Sequence, residues 1–426
     1  MLRTTRATRA TGVARTALVA AAALLTTATA TALAPPATAA DKLPYSDQCT
    51  FPNGLYPGRP WSLQRVQLDE LWRRSKGEGV RVAVIDTGVD VKNPQLTAAV
   101  DAAAGMNLLP KNLKDDNGDP VERGKENGTT DTVGHGTKVA GIIAARPAKG
   151  TGFVGLAPEA RVIPIQQNDA EGHGTAETLA TAIHHAIEVR ADVINISQDT
   201  SNAVKPTALL EQAVNAALAQ KIVVVASAGN DGLGGNVKKT YPASYPGVLA
   251  VAASDRNNER AAFSQSGDFI GVAAPGVDMV STVPKGGHCS DNGTSFSAPY
   301  VAGVAALIKA RHKDWTAAQV VAQIEQTAER TFAGHDRLVG WGVVDPVRAL
   351  TADDEPIESP DPQEGLGKAE APTAAKFQVG ETPDERNARL ATYAVVAAVV
   401  LVTGLGGTAV AIRDARRRAR RVAGVD

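Results

Sequence analysis

The chemistry this chain could perform is concentrated in a few short stretches. In "DNGTSFSAPY" (291–300), Ser295 stands between Gly-Thr and small residues that run into the helically spaced apolar stretch "VAGVAALIKA". Ser295 therefore falls at or near a helix N-terminus, where unpaired N–H groups and the positive end of the helix dipole lie. There it is either a cap, a role that serine favours, or a nucleophile whose anionic products face those N–H groups. Gly-His-Gly-Thr occurs twice, at His135 ("TVGHGTKVAGIIAA") and at His173 ("AEGHGTAETLATAI"), each time ahead of a helix. In "VRVAVIDTGVD" (80–90) an apolar, β-branched run ends in Asp86 and is followed by Thr-Gly. That carboxylate either caps a turn or points into a site.

The elements around these residues narrow the choice. "VRVAVID" reads as a buried strand, and similar runs recur in "RVIPIQ" (161–166), "DVINIS" (192–197), "KIVVVASAGN" (221–230) and "VLAVAAS" (248–254). Helical patterns separate several of them, notably "AETLATAIHHAIEV" (176–189) and "KPTALLEQAVNAALAQ" (205–220). Alternating strands and helices predict an α/β fold of three layers around a mainly parallel sheet. In such sheets ligands collect beyond the C-terminal strand ends, where Asp86 and Asn230 both fall. The helix after His135 is small and apolar on nearly every side, which demands burial in the middle of the fold. The helix after His173 carries Glu177, Thr178, Thr181, His184, His185 and Glu188, so one face meets water. A buried helix can hold a histidine rigidly against a strand-end carboxylate, and His135 is the candidate base. His173 is read as loop.

"VAVIDTGVD", "GHGTKVAGIIAA", "VVVASAGND", "YPASYPGVLAVAAS" and "GTSFSAPYVAGVAAL", in that order, resemble the subtilisin-like serine peptidases. The order Asp, His, Ser is that of the subtilisin triad. The resemblance implies that Ser295 is the nucleophile, activated by His135 within hydrogen-bond reach. Asp86 would orient the imidazole and stabilise its cation. Asn230 would donate its side-chain N–H to the oxyanion together with the Ser295 backbone N–H. A peptide or protein substrate would lie extended beside "PIQQ" and "NISQ" as an added strand, which makes Gln166, Ile196, Ser197 and Gly229 substrate-binding candidates.

Composition sets the frame. A hydrophobic fraction of 43% with 21% charged residues supports a large core, and a net charge of −1 gives no global reason for nucleic-acid binding. Arginines 3, 6, 9 and 15 precede an apolar run and small residues up to Ala39 and Ala40, the pattern of a signal peptide over residues 1–40. Near the other end, "LATYAVVAAVVLVTGLGGTAVAI" (390–412) has no charge and is long enough for a membrane crossing. "RDARRRARR" (413–421) opens the basic tail 413–426, read as a positive-inside, cytoplasmic flank. Residues 351–389 are acidic, proline-rich and poor in periodic apolar positions, the composition of a linker. The folded part is then an extension, 41–72, and a peptidase domain, 73–350. The whole predicts a single-pass cell-membrane protein with its catalytic domain outside the cytoplasm.

Departures from the family pattern matter too. The segment ahead of the first strand is too short for a folded pro-domain. The loop "AARPAKGTGFVG" (144–155) lacks the asparagine pattern of a strong calcium site, and "DDNGD" (115–119) lacks the full ligand spacing. No metal site and no cofactor are therefore expected. "SQDTS" (197–201) departs from the glycine-containing stretch common at the specificity pocket, so no preference is transferred. The layout of signal peptide, short extension, peptidase, linker and anchor resembles the mycosins, membrane-anchored peptidases associated with type VII secretion, and implies a secretion membrane complex as partner. Other roles fitting the same layout are a tethered general surface subtilase and a mainly structural subunit of such a complex. Export with two cysteines predicts a Cys49–Cys289 disulfide that clamps the extension beside Ser295.

Overall fold

The computed structural model describes residues 49–422, except 115–117, 121, 170–173, 198–205, 236–238, 332, 353–354 and 363–380. The segment read as a signal peptide and His173 lie outside the described residues. In chain order the helices are α1 (Trp61–Gln64), α2 (Leu68–Arg74), α3 (His135–Ala144), α4 (Ala176–Glu188), α5 (Ala208–Ala219), α6 (Thr294–Arg311), α7 (Ala317–Thr327), α8 (Pro346–Thr351) and α9 (Pro383–Val422). The strands are β1 (Arg81–Asp86), β2 (Met106–Asn107), β3 (Arg161–Gln166), β4 (Val193–Ile196), β5 (Val223–Ser227), β6 (Leu249–Ser254), β7 (Val272–Pro275), β8 (Met279–Thr282) and β9 (His288–Asp291).

The first seven strands form one parallel sheet in the order β2-β3-β1-β4-β5-β6-β7, and β8 and β9 form an antiparallel hairpin. Strand side chains alternate between faces, and here both faces are covered. Val82 and Val84 join Val223, Val225 and Val251 in the core beneath α3, α6 and α7. Their neighbours Ala83 and Ile85 join Ile163, Ile165, Ile194 and Val224 against α4 and α5. Double burial is why these strands read as unbroken apolar runs. Helices α4 and α5 start at Thr175 and Thr207, whose hydroxyls accept N–H bonds of the first turn. β1 pairs with β3 on one side and β4 on the other, so the chain changes direction across the sheet at β1. The crevice at such a switch point is where α/β sheets bind ligands.

The extension is part of the core. Leu63, Val66, Leu68 and Leu71 are buried in the same cluster as α3 and α6, and the Trp61 and Trp72 indoles donate to the carbonyls of Val277 and Leu156. Cys49 and Cys289 are joined by a disulfide. At the other end the chain stays on the body beyond residue 351, where the linker was expected to start. Gln319 donates to Glu358, Asp361 N–H to Gln326, Arg330 to the Asp361 carbonyl and Gly334 N–H to the Pro362 carbonyl. A segment with no apolar period is held here by polar groups around α7. A second unit, residues 367–426, contains α9, a single helix whose apolar stretch has a mean hydropathy of 2.3 and suffices to cross a membrane.

Candidate active site

Asp86 ends β1 and is 2% exposed; its Oδ1 accepts the Thr87 N–H at 2.7 Å and lies 2.7 Å from His135 Nδ1. With a carboxylate on Nδ1, the ring carries its proton there and leaves Nε2 as the basic nitrogen. Burial alone pushes the His135 imidazole down. Asp86 outweighs it through charge and hydrogen bond, Lys138 works against Asp86, and the ring is held above the usual histidine value. The close approach of α3 to β1 depends on Gly136, where a Cβ would lie 2.1 Å from the Gly88 carbonyl oxygen.

Ser295 is the second residue of α6 and is 5% exposed. Phe296, next to it, sets its ring 5.4 Å from that of His135, which brings the two helix starts together. The first turn is fixed from outside the helix. Asn230 Oδ1 accepts from Thr294 N–H at 2.9 Å and from the Thr294 hydroxyl at 3.0 Å, and that hydroxyl also receives Gly229 N–H. Phe296 N–H is taken by the Gly293 carbonyl. The Ser295 N–H between them has no protein partner among the described residues. Because Oδ1 of Asn230 is spent on Thr294, its Nδ2 is the end turned toward the loop, 3.6 Å from where a Gly293 Cβ would stand. Asn230 thus ties the loop after β5 to the start of α6, which carries the Ser295 hydroxyl, and the Phe296 ring packs that helix start against the carboxylate-oriented imidazole. That set can activate a hydroxyl and hold an oxyanion.

Residues 77–342 match the Subtilase family, peptidase S8. The chain belongs to the subtilase family. Mycosin-1 of Mycolicibacterium smegmatis is 33% identical over 86% of this chain and 87% of its own length. Subtilisin Savinase of Lederbergia lenta is 38% identical over 67% of this chain and 96% of its own. Among solved structures, MycP3 protease from the type VII (ESX-3) secretion system is similar at a TM-score of 0.58 and 33% identity, covering 70% of this chain and 91% of that one. MycP1 from Mycobacterium smegmatis is similar at 0.57 and 31%, covering 80% and 93%. This is a subtilisin-like serine protease of the mycosin type.

Two residues expected to flank the substrate of this subtilase, Gln166 and Ile196, are internal to its sheet, and a third, Gly229, follows the end of β5. Gln166 pairs with Asp86 on one side and Asn107 on the other, and its carbonyl accepts from Leu108 N–H. Ile196 pairs with Ile85 and Ala226 and is 1% exposed. Both backbone groups of Gly229 are taken, by the Thr294 hydroxyl and Gln265 N–H. The backbone of Gln166 and Ile196 is thus used within the sheet, so an added strand would have to run beyond the C-terminal ends of β3 and β4. Ser197 is buried and accepts from Asn195. The residues that follow, 198–205, lie outside the described ones.

Two groups near the site went unread in the sequence. Asp131, four residues before His135, is buried and accepts from Thr87 and Thr137 hydroxyls and from the N–H groups of Val133, Gly134 and Thr137. It ties the end of β1 to the start of α3; burial raises its carboxyl to about 6 against the pull of those donors. Lys138, one turn beyond His135, binds Asp291 at 2.7 Å, and Asp291 also accepts the Asn292 N–H. This pair joins the helix of His135 to the strand that leads into Ser295. An acid three residues before Gly-His and a lysine in an otherwise apolar helix were the available signals. Among the described residues no three His, Cys, Asp or Glu side chains group as a metal site.

Proposed function

We propose that this subtilase hydrolyses internal peptide bonds with Ser295, His135 and Asp86. His135 Nε2 takes the hydroxyl proton as Ser295 Oγ attacks the scissile carbonyl, and returns it to the leaving amine as the acyl-enzyme forms. Asp86 keeps the ring in the required tautomer and stabilises the imidazolium. Asn230 Nδ2 and the Ser295 N–H receive the oxyanion. The acyl-enzyme is then released by water activated in the same way. The observation that carries this reading is the Asp86–His135 hydrogen bond of 2.7 Å at the strand end facing the helix start of Ser295. Ser295→Ala and His135→Ala should each abolish peptide cleavage, and Ser295→Ala should also abolish labelling by a fluorophosphonate, without loss of fold. His173→Ala should cleave normally. Full activity in the His135 variant would refute the assignment.

The apolar α9 and the likeness to Mycosin-1 support a single-pass anchor with the protease body outside the cytoplasm and a role beside a type VII secretion complex. Protease added to wall-stripped cells should shave the body and leave a small anchored fragment; a protected body would refute this topology.

A further inference from the structure

A cavity of about 560 Å³ opens next to the start of α3 and has no part in the steps above. Its floor includes Asp131, and one wall is Phe51 of the extension. The Phe51 ring is seated against Gly134, where a Cβ would lie 2.3 Å from it, and Cys49 fixes the chain two residues earlier. The lining of the cavity thus reaches Thr132, three residues before His135, and the Phe51 ring that packs on Gly134. Lys92, Lys125 and Lys285 line its exposed rim.

Two of the three acids lining the cavity, Asp90 and Asp131, direct their carboxylates to groups of the protein. Asp90, 6% exposed, accepts the backbone N–H groups of Lys92 and Lys285 at 3.0 and 2.7 Å. Its carboxylate thereby fixes the backbone of two rim lysines. Asp131 is turned into the protein toward Thr87, Gly134 and Thr137. The Arg123 guanidinium is held by Glu126 and by the carbonyls of Leu109 and Asn107. What remains on the exposed rim is three ammonium groups, none ion-paired among the described residues, against the single carboxylate of Glu122. An apolar ring beside clustered ammonium groups suits an aspartate or glutamate side chain, with its methylenes on the ring and its carboxylate at the rim.

We propose that this cavity is a substrate subsite for acidic residues close to the scissile bond, a specificity resting on the reading of Ser295 and His135 as nucleophile and base. Net charge over the whole chain gives no such preference; the cavity does, because Lys92, Arg123, Lys125 and Lys285 outnumber Asp90, Glu122 and Asp131 and three of the cations stand at the exposed rim.

The test uses the purified full-length enzyme and fluorogenic peptides alike except at one position, set to Asp, Gln or Lys, and scanned on both sides of the cleaved bond. At one position or more, kcat/KM for Asp should exceed that for Lys about tenfold at low ionic strength, and the ratio should shrink in salt. Lys92→Glu/Lys125→Glu/Lys285→Glu should invert the order at that same position, with the Gln peptide as internal reference. Single Lys→Gln variants should each remove part of the ratio, which guards against misfolding of the triple variant. Equal rates for Asp and Lys throughout, or an Asp preference that survives the charge reversal, would overturn the subsite while leaving the peptidase reading intact. Failure of the wild type to cleave even the Gln peptides would remove that reading and the subsite with it.

Discussion

A single methyl group at residue 136 should disable the catalytic pair. A Gly136→Ala Cβ would lie 2.1 Å from the Gly88 carbonyl oxygen and 3.1 Å from both Cβ and Oδ1 of Asp86. Carbon and carbonyl oxygen approach no closer than about 3.3 Å without strain. The start of α3 and the turn after β1 must therefore part by about 1.2 Å, with backbone on both sides and no flexible side chain to yield. If the movement is along the 2.7 Å bond between His135 Nδ1 and Asp86 Oδ1, that bond opens to about 3.9 Å, beyond hydrogen-bond range. A displacement of this size near reacting groups costs about 10²-fold in rate, or about 2.7 kcal/mol of transition-state stabilisation. Overpacking should also cost about 1–3 kcal/mol of stability. Steady-state kcat/KM on a peptide, with thermal denaturation in parallel, measures both. Gly134→Ala is the comparison: its φ of +87° strains any side chain, but the steric obstacle is the Phe51 ring, which can swing, so Phe51→Ala should relieve only the steric part of its defect. A Gly136→Ala enzyme within threefold of wild-type kcat/KM would show that the contact does not set the geometry.

Three further outcomes follow from the structure. His288 accepts Tyr56 N–H at Nδ1 and donates from Nε2 to Gln95, and burial pushes it down to about 4. Because its folded value lies below the unfolded one, stability present above about 6.5 should fall by roughly 3 kcal/mol as pH drops toward 4; a His288→Gln protein should lack that component in urea melts at pH 7 and 4.5, and matching pH slopes would contradict it. Cys49→Ser/Cys289→Ser opens a link of sequence separation 240 and should cost about 2–5 kcal/mol, read as a fall in Tm; an unchanged Tm would rule the stabilisation out. Asn230→Ala should lower kcat by about 10²–10³, the range known for a subtilisin's oxyanion-hole asparagine, with KM little altered, and a kcat unchanged from wild type would remove Asn230 from the oxyanion site.

The parts of the fold that the sequence disclosed are those with both faces buried or one face wet. β1, β3, β4, β5 and β6 are continuous apolar runs because helices cover both sides, and α4 announced itself by its polar face. The two-residue β2 and the hairpin β8–β9 did not, since "MN" and "HCSD" carry no period and owe their pairing to neighbours. Asp86, His135 and Ser295 stand out in the sequence because each sits at an element boundary with a glycine or threonine beside it. Asp131 and Lys138 do not, because the groups they bind, Thr87 and Asp291, are remote in sequence. For Gln166 and Ile196 strand identity was readable, but which strands flank them was not.

The bonds that build the site also set when it can exist. Asp86–His135 spans 49 residues, Asn230–Thr294 spans 64, Lys138–Asp291 spans 153 and Asn53–Cys289 spans 236. Each closes only after a long loop has been brought together, at an entropic cost that local contacts do not carry. A chain still lacking its residues near 290 has neither the hydroxyl nor the brace for the imidazole, so it has no partial activity to release. On the proposed mechanism, cleavage therefore waits until the chain has been made past Ser295.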